Sequence, residues 1–380
     1  MNKILLFTFC AAGLIFTSCK KDKPEPENNN LRSSVDYNAL TDATPYNSSL
    51  FFDSRGDSTV DRTEGHVRLK MLKEIDTYGK LGIKQEVDAN KLKNMFNNSG
   101  NPFGIEALDN SGLQIRNVTA TSSADAETIR NYIESHFTKL AEASKSFGQT
   151  ASKGNAGVLT NGTSSYLVDE DGIEWIQVIS KSLIGSFQLD YIGNTLLGNL
   201  EADNSALVEG ENYSQLEHNW DVAYGLLTTN PIYAADGTKD KKPSESFLGS
   251  YVWEYNRNNF SKIHLAFLKG RAAIINNDKN ELKAQSEFIR KTLEKTISEA
   301  ALGYLDKWKK GDNEGAKAHA IGEGIGFIYS LRFCQLYGAD AKFSDDILDS
   351  LIFSADNGYW DLTIEKIVAA ENAIKDKFND

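Results

Sequence analysis

Residues 123–143 read SADAETIRNYIESHFTKLAEA, and this stretch decides the fold class. Ile129, Tyr132, Ile133, His136, Phe137 and Leu140 recur at steps of three and four, so on a 3.6-residue helix they form one apolar stripe opposite a charged face. Ser123 stands where an N-cap would accept from the first turn. The same spacing returns at Val67, Met71, Leu72, Ile75 and Tyr78, which predicts a helix within 61–81. Further helices are expected over 173–198, 213–227, 245–276, 281–309, 313–337 and 361–378, with Asn258 and Asn259 able to break the longest of them. Residues 148–172 are rich in Gly, Ser, Thr and Asn and read as a long loop or a hairpin with a short strand at Ser165–Val168.

These elements describe an all-α protein, a large helical bundle. Only 6 prolines among 380 residues leave room for long helices. The segment 228–244, with Pro231, Gly237 and Lys239-Asp240-Lys241-Lys242-Pro243, reads as a solvent loop. It would divide a single helical domain, 37–380, into two pseudo-related halves, 37–230 and 240–380. No tetratricopeptide-type repeat is present.

The first residues carry a different message. Met1, Asn2 and Lys3 precede an apolar run from Ile4 to Phe16, which is signal-peptide length and too short to span a bilayer. The run ends in Phe16-Thr17-Ser18-Cys19, small residues before a cysteine, as a lipoprotein signal peptidase requires. Residues 1–18 are therefore expected to be removed and Cys19 to carry the lipid. Residues 19–36, low in apolar content, are expected to form a flexible tether, with order starting near Tyr46. Cys10 leaves with the leader, so only Cys19 and Cys334 remain and no intramolecular disulfide is expected. Cys334, in an apolar helix, reads as a core residue. Loss of Lys3 moves the formal net charge from -12 to -13, with no basic stripe, which argues against nucleic acid as a partner.

Three constellations could carry chemistry. In Glu217-His218-Asn219-Trp220-Asp221, the spacing puts Glu217, His218 and Asp221 on neighbouring positions of one helix face. Two carboxylates four apart repel unless a cation sits between them. Either a metal or a Lys or Arg from another helix would relieve that. His319 and Glu323, also four apart, resemble a bundle-core metal pair. Ala318, Gly322 and Gly326 beside them form a smooth ridge on which another helix can lie. Arg271, in an otherwise apolar helix, needs a carboxylate partner, which Glu323, Asp221 or Glu174 could be. Glu174 could equally serve as first-turn charge for its own helix. No nucleophile elbow, Walker loop, dinucleotide fingerprint or thiol zinc site occurs.

Gly65-His66-Val67-Arg68-Leu69-Lys70-Met71-Leu72, Gly172-Ile173-Glu174-Trp175-Ile176-Gln177, Leu216-Glu217-His218-Asn219-Trp220-Asp221-Val222-Ala223-Tyr224-Gly225, Leu268-Lys269-Gly270-Arg271-Ala272-Ala273-Ile274 and His319-Ala320-Ile321-Gly322-Glu323-Gly324-Ile325-Gly326-Phe327 resemble domain-of-unknown-function family 4856. The resemblance runs from about Ser34 to near the C-terminus. It implies an envelope lipoprotein of imelysin-like helical build, of a kind often associated with iron or haem acquisition. The imelysin signature, Gly-x-His-x-x-Glu, is matched in part: Leu216 stands for the glycine, His218 keeps its place and Asp221 shortens the acid. The expected function is a binding or accessory component of iron, haem or other metal uptake at the outer membrane, held by lipid at Cys19 and working beside an outer-membrane transporter. His218, Asp221, His319 and Glu323 would form one metal site, supported by Glu174, Glu217 and Arg271. The alternatives are a structural or interaction lipoprotein that partners an outer-membrane transporter and holds no metal, and a metal-dependent hydrolase with Glu323 as general base.

Overall fold

The computed structural model describes residues 32–379. Among them are twelve α-helices and one two-stranded hairpin, the predominantly helical bundle that the apolar spacing predicts. The chain opens with α1 (Thr63–Lys80), whose first-turn Glu64 and last-turn Lys80 both suit the helix dipole. Helix α2 (Ala89–Asn97) starts on Asp88, which accepts from the Asn90 amide, and stops at Asn98 in the left-handed region. A single turn, α3 (Glu106–Asp109), leads to α4 (Ala126–Ser144).

Helix α4 buries Ile129, Ile133, His136, Phe137 and Leu140, as its stripe requires. Its start differs from expectation: Ser123 Oγ accepts from Asp125 in a turn before the helix, so Ser123 does not cap it. His136 is 1 % exposed, and neither ring nitrogen has a hydrogen-bond partner. Burial therefore lowers its pKa to about 3, with Lys139 adding to the effect. The folded protein holds this ring neutral while the unfolded chain protonates it near 6.5. Its contribution to stability is thus complete above about 6.5 and falls by up to about 1.4 kcal/mol per pH unit between about 6.5 and 3. Urea unfolding of the wild type and a His136→Leu variant between pH 4 and 7 should show the wild type losing stability relative to the variant as pH falls. Parallel curves would refute it.

The hairpin pairs β1 (Gly157–Asn161) with β2 (Ser164–Val168), turning at Gly162. Helix α5 (Trp175–Leu183) is buried at every residue and runs into a wider π-helical stretch, Ile184–Leu196. Helix α6 (Gln215–Leu227) opens with a capping box: Ser214 Oγ accepts from Glu217 N, and the Glu217 carboxylate accepts from Ser214 N. The expected 245–276 helix is two, α7 (Phe247–Tyr255) and α8 (Phe260–Ile275), parted at the asparagines 256, 258 and 259. Helix α9 (Lys279–Lys310) is the longest. At 1.5 Å per residue it spans roughly 48 Å. Helix α10 (Glu314–Ser330) ends earlier than expected, in 3-10 turns through Tyr337. The chain closes with α11 (Ala341–Leu348), extended by a π turn, and α12 (Ile364–Lys377).

Helix α10 is the hub, packing on α9, α5, the hairpin and α11. The ridge of small residues explains how. A Cβ at Gly326 would stand 2.5 Å from Lys181 Cβ and 2.9 Å from Val178 O, and one at Gly322 would stand 3.1 Å from Glu174 Cβ. Glycine is what lets α10 lie on α5 at this distance. One continuous hydrophobic cluster runs from Val35 to Phe378 and draws on residues from both sides of the 228–244 loop. Cys334 is buried within it.

The expected tether is too long at its C-terminal end. Arg32 is buried and pairs with Glu217, and Val35 N and O both bond the Asn276 side chain. Residues 32–36 therefore belong to the packed domain, because their polar groups find partners there. Cys19 and the leader lie outside the described residues.

Candidate functional site

Arg271 projects from α8 into the interior with its side chain fully buried. Its Nη1 donates to Glu217 Oε1 at 2.6 Å, Nε to Asp221 Oδ1 at 2.9 Å, and Nη2 to Thr59 O and Oγ1 at 3.1 and 3.0 Å. The other carboxylate oxygens are taken as well. Arg32 donates to Glu217 Oε2 at 3.0 Å, Tyr46 Oη to Asp221 Oδ1 at 2.9 Å, and Asp61 N to Asp221 Oδ2 at 3.1 Å. Burial pushes the Asp221 carboxyl up to about 6, and the Arg271 guanidinium pulls against that rise.

The like-charge pair Glu217 and Asp221 is thus relieved by Arg271, which corrects its reading as half of a metal centre. Both oxygens of Asp221 already accept hydrogen bonds from protein donors. What the cluster does is fasten the N-terminal segment, since Arg32, Tyr46, Thr59 and Asp61 all come from it. Tyr46 also stacks on Tyr224, ring centroids 3.9 Å apart.

His218 points elsewhere. Its ring stacks on Tyr213, with Nδ1 3.8 Å from Asp61 and Nε2 3.6 Å from Glu64. Burial opposes its charge, but Glu64 and Asp61 outweigh that and raise its pKa.

His319 belongs to a second assembly. Its Nδ1 lies 2.7 Å from Glu174 Oε2, and its Nε2 is 4.0 Å from Glu323 Oε2. Glu323 Oε1 meets Lys181 Nζ at 2.9 Å, and Lys181 also donates to Gln177 at 2.9 Å. Tyr166 stacks on the imidazole at 4.3 Å, and the hydroxyls of Tyr251 and Tyr304 meet at 3.1 Å beside Glu323. Burial works to raise the Glu323 carboxyl, yet Lys181 and His319 hold it below the ordinary carboxylate range. Burial pushes Glu174 up, with His319 opposing. For His319, burial lowers the pKa and the two carboxylates raise it further, so the net direction is up.

His218 and His319 share no neighbour, so the single site expected from pairing them does not form among the described residues. Nor does any group of three or more His, Cys, Asp or Glu there suit a metal ion. Glu323 as a general base is also disfavoured, because its ion pair keeps it ionised and weakly basic. The ligand set for Arg271 was open between Glu323, Asp221 and Glu174. The structure selects Asp221 and adds Glu217.

The second assembly forms one wall of a cavity of 670 Å³ between α1, α5, α7, α9, α10 and the hairpin. That volume is in the range of small-ligand sites. Sequence reading passed over Lys181, although it is a lone lysine in an apolar helix and the same logic that singled out Arg271 applies to it. It also passed over Ser214-x-x-Glu217, a legible capping box. Tyr166, Tyr251 and Tyr304 carry no local signal, since they come from three separate elements.

Residues 47–379 match the family model described as Domain of unknown function (DUF4856). The chain belongs to this family. No curated protein and no solved structure matches it. Several stretches that carry the DUF4856 resemblance have a packing reason: Gly65 and Gly225 sit where α1 and α6 touch, Gly270 makes room for Trp220, and Gly322 and Gly326 carry α10 on α5.

Proposed function

We propose that the protein is an outer-membrane-anchored lipoprotein that serves as a binding component beside an envelope transporter, with its ligand held in the cavity walled by His319, Glu323 and Lys181. The observation that carries this reading is the cost of that wall. A buried ion pair such as Lys181–Glu323 is often no better than an apolar pair of equal size, so its retention against an open cavity points to what it faces. The anchoring half rests on Phe16-Thr17-Ser18-Cys19. Among the described residues no helix is long and apolar enough to cross a membrane, so attachment would fall to the lipid.

Metal as cargo is the second reading. His319 Nε2 accepts from no protein donor, while Nδ1 is oriented by Glu174, the arrangement found around metal-binding imidazoles. With one imidazole and one lysine-paired carboxylate at hand, iron would have to bring further donors with it, as haem or a chelate does.

Anchoring is tested by fractionation. Cys19→Ala should leave the precursor unprocessed or release the protein from the membrane fraction, and unchanged processing and attachment would defeat the lipoprotein reading. Binding is tested by thermal shift of the wild type with haem, ferrous iron and zinc. A stabilisation by haem that His319→Ala abolishes would favour metal cargo.

A further inference from the structure

The point at which the chain from Cys19 joins the domain is fixed by side chains. Arg32 donates from Nη2 to Asn212 O and pairs with Glu217 at 3.0 Å, so it is tied to the same buried cluster that Arg271 closes. Asn212 also joins two loops: its Nδ2 donates to Ser58 O at 3.3 Å, and its Oδ1 accepts from Arg55 at 3.4 Å. The first loop, 52–58, is closed by a bridge between Phe52 and Ser58, and the second, 207–214, by a bridge between Leu207 and Ser214.

Both loops turn apolar side chains outward where they begin. Leu50 and Phe52 are exposed on either side of the buried Phe51, and Ala206 and Leu207 are exposed at the start of the second loop. One such residue standing alone needs no explanation. Here three large ones, Leu50, Phe52 and Leu207, stand on the two loops that receive the segment leading to Cys19.

Arg32 is 13 positions after Cys19, a length of chain that covers at most roughly 45 Å. A lipid on Cys19 therefore keeps the bilayer within that reach of the patch. A contact too weak to hold a free protein is then made at an effective concentration on the order of millimolar. Charge narrows the partner further. Residues 48–58 and 205–214 carry Asp53, Asp57, Glu209 and Glu211 against the single cation Arg55, which Asp53 engages at 2.8 Å. Anionic headgroups repel such a surface, so what it offers a membrane is its apolar side chains.

Resting on the anchoring reading above, we propose that Leu50, Phe52 and Leu207 form the face on which the domain sits against the bilayer that holds its lipid, entering the headgroup region of a zwitterionic leaflet. The Arg271 cluster sets this orientation, because it fixes both Arg32 and Thr59, just beyond the first loop, to the helical body.

The test uses the mature lipidated chain in vesicles of phosphatidylethanolamine and phosphatidylcholine. An environment-sensitive nitrobenzoxadiazole dye is placed on a single introduced cysteine, Phe52→Cys, Leu207→Cys or Ile364→Cys. Cys334 is buried and Cys19 is blocked by its lipid, so neither takes the dye. Ile364 is the control: it is comparably exposed, but Lys295 meets Phe378 and Lys309 meets Glu371, so α12 runs out past the last turn of α9 toward Ile364. The patch lies by the first turn of α9, where Tyr37 donates to Asp278.

Emission at positions 52 and 207 should rise about twofold or more on vesicles and be quenched by a quencher carried on the lipid headgroup, while emission at 364 stays level. Replacing half of the lipid with phosphatidylglycerol should reduce the rise, and a larger rise would contradict the proposal. Silent dyes at 52 and 207 on attached protein, or an equal rise at all three positions, would overturn it and leave the anchoring reading standing. A rise seen only in native outer-membrane fragments and not in protein-free vesicles would overturn it too, because the face would then meet a protein. Mass spectrometry of the mature chain separates the two failures: absence of a diacylglyceryl group on Cys19 removes the anchoring reading and this proposal with it.

Discussion

Replacing Arg271 with alanine is expected to destabilise the domain by about 3–5 kcal/mol, because it leaves the carboxylates of Glu217 and Asp221 buried without their shared cation. The direction is not in doubt on electrostatic grounds: both acids are at most 2 % exposed, lie one helical turn apart, and would face each other uncompensated. Arg32 would still reach Glu217, but nothing else cationic meets Asp221. Urea denaturation should show a lower midpoint with an unchanged slope, which marks a loss of stability without a change in compactness. An Asp221→Asn, Arg271→Met variant should recover much of the loss, since Glu217 keeps Arg32 as its cation and the charge of Asp221 is removed together with its partner's. A loss under about 0.5 kcal/mol for Arg271→Ala would mean that the arginine is at the surface. The N-terminal segment should respond first. Because Thr59, Tyr46 and Asp61 bond to this cluster, hydrogen exchange in 40–62 should rise in the variant more than in α9.

Gly65→Ala should be nearly as damaging, for a steric reason. A Cβ at this position would lie 2.6 Å from Val222 O, 2.7 Å from Gly225 C and 2.8 Å from Leu226 N. All three are backbone atoms of α6, so no rotamer change can make room and the two helices must separate. Overpacking of this kind costs about 1–3 kcal/mol and occasionally more, against a gain of up to about 1 kcal/mol in helix propensity. The contact is reciprocal: a Cβ at Gly225 would meet Arg62 O at 2.8 Å. The double variant Gly65→Ala, Gly225→Ala should therefore cost less than the sum of the two, because one displacement of α1 serves both. Thermal unfolding of the three variants checks this. A neutral or stabilising Gly65→Ala would refute this close approach of α1 and α6.

The helices came out of the sequence where the apolar stripe was long and the ends were marked. Helix α4 and the stripe of α1 are examples, as is the break at the asparagines before α8. What escaped was short or irregular. Helices α2 and α11 have nine and eight residues, too few turns for periodicity to stand out. Residues 184–196 lie inside the helix expected over 173–198, but their wider π winding has no local signature, with Ser186, Gln188 and Asp190 buried among the apolar residues.

The candidate residues divide in the same way. Arg271 demanded a carboxylate from its surroundings alone, because a charge in an apolar helix cannot stay unpaired at any tolerable cost. Which carboxylate was a matter of three-dimensional approach. Glu217 and Asp221 were visible as a like-charge pair in need of a cation, and a metal and a guanidinium answer that need equally well in one dimension. Histidine with an acid one turn away suggested a shared metal centre for the same reason: helical spacing fixes which side chains share a face but not what the face meets.

Taken alone, then, the sequence determined the helical class and the presence of buried charge needing a partner, since periodicity and desolvation are properties of neighbouring residues. Only the tertiary structure decided that Arg271 closes one cluster and Lys181 the other, and that His218 and His319 stand apart. It likewise decided that Tyr166, Tyr251 and Tyr304 converge on one cavity. Those outcomes depend on contacts between residues as far as 241 positions apart, as between Val35 and Asn276, and such approaches are set by how whole helix faces pack rather than by any local pattern.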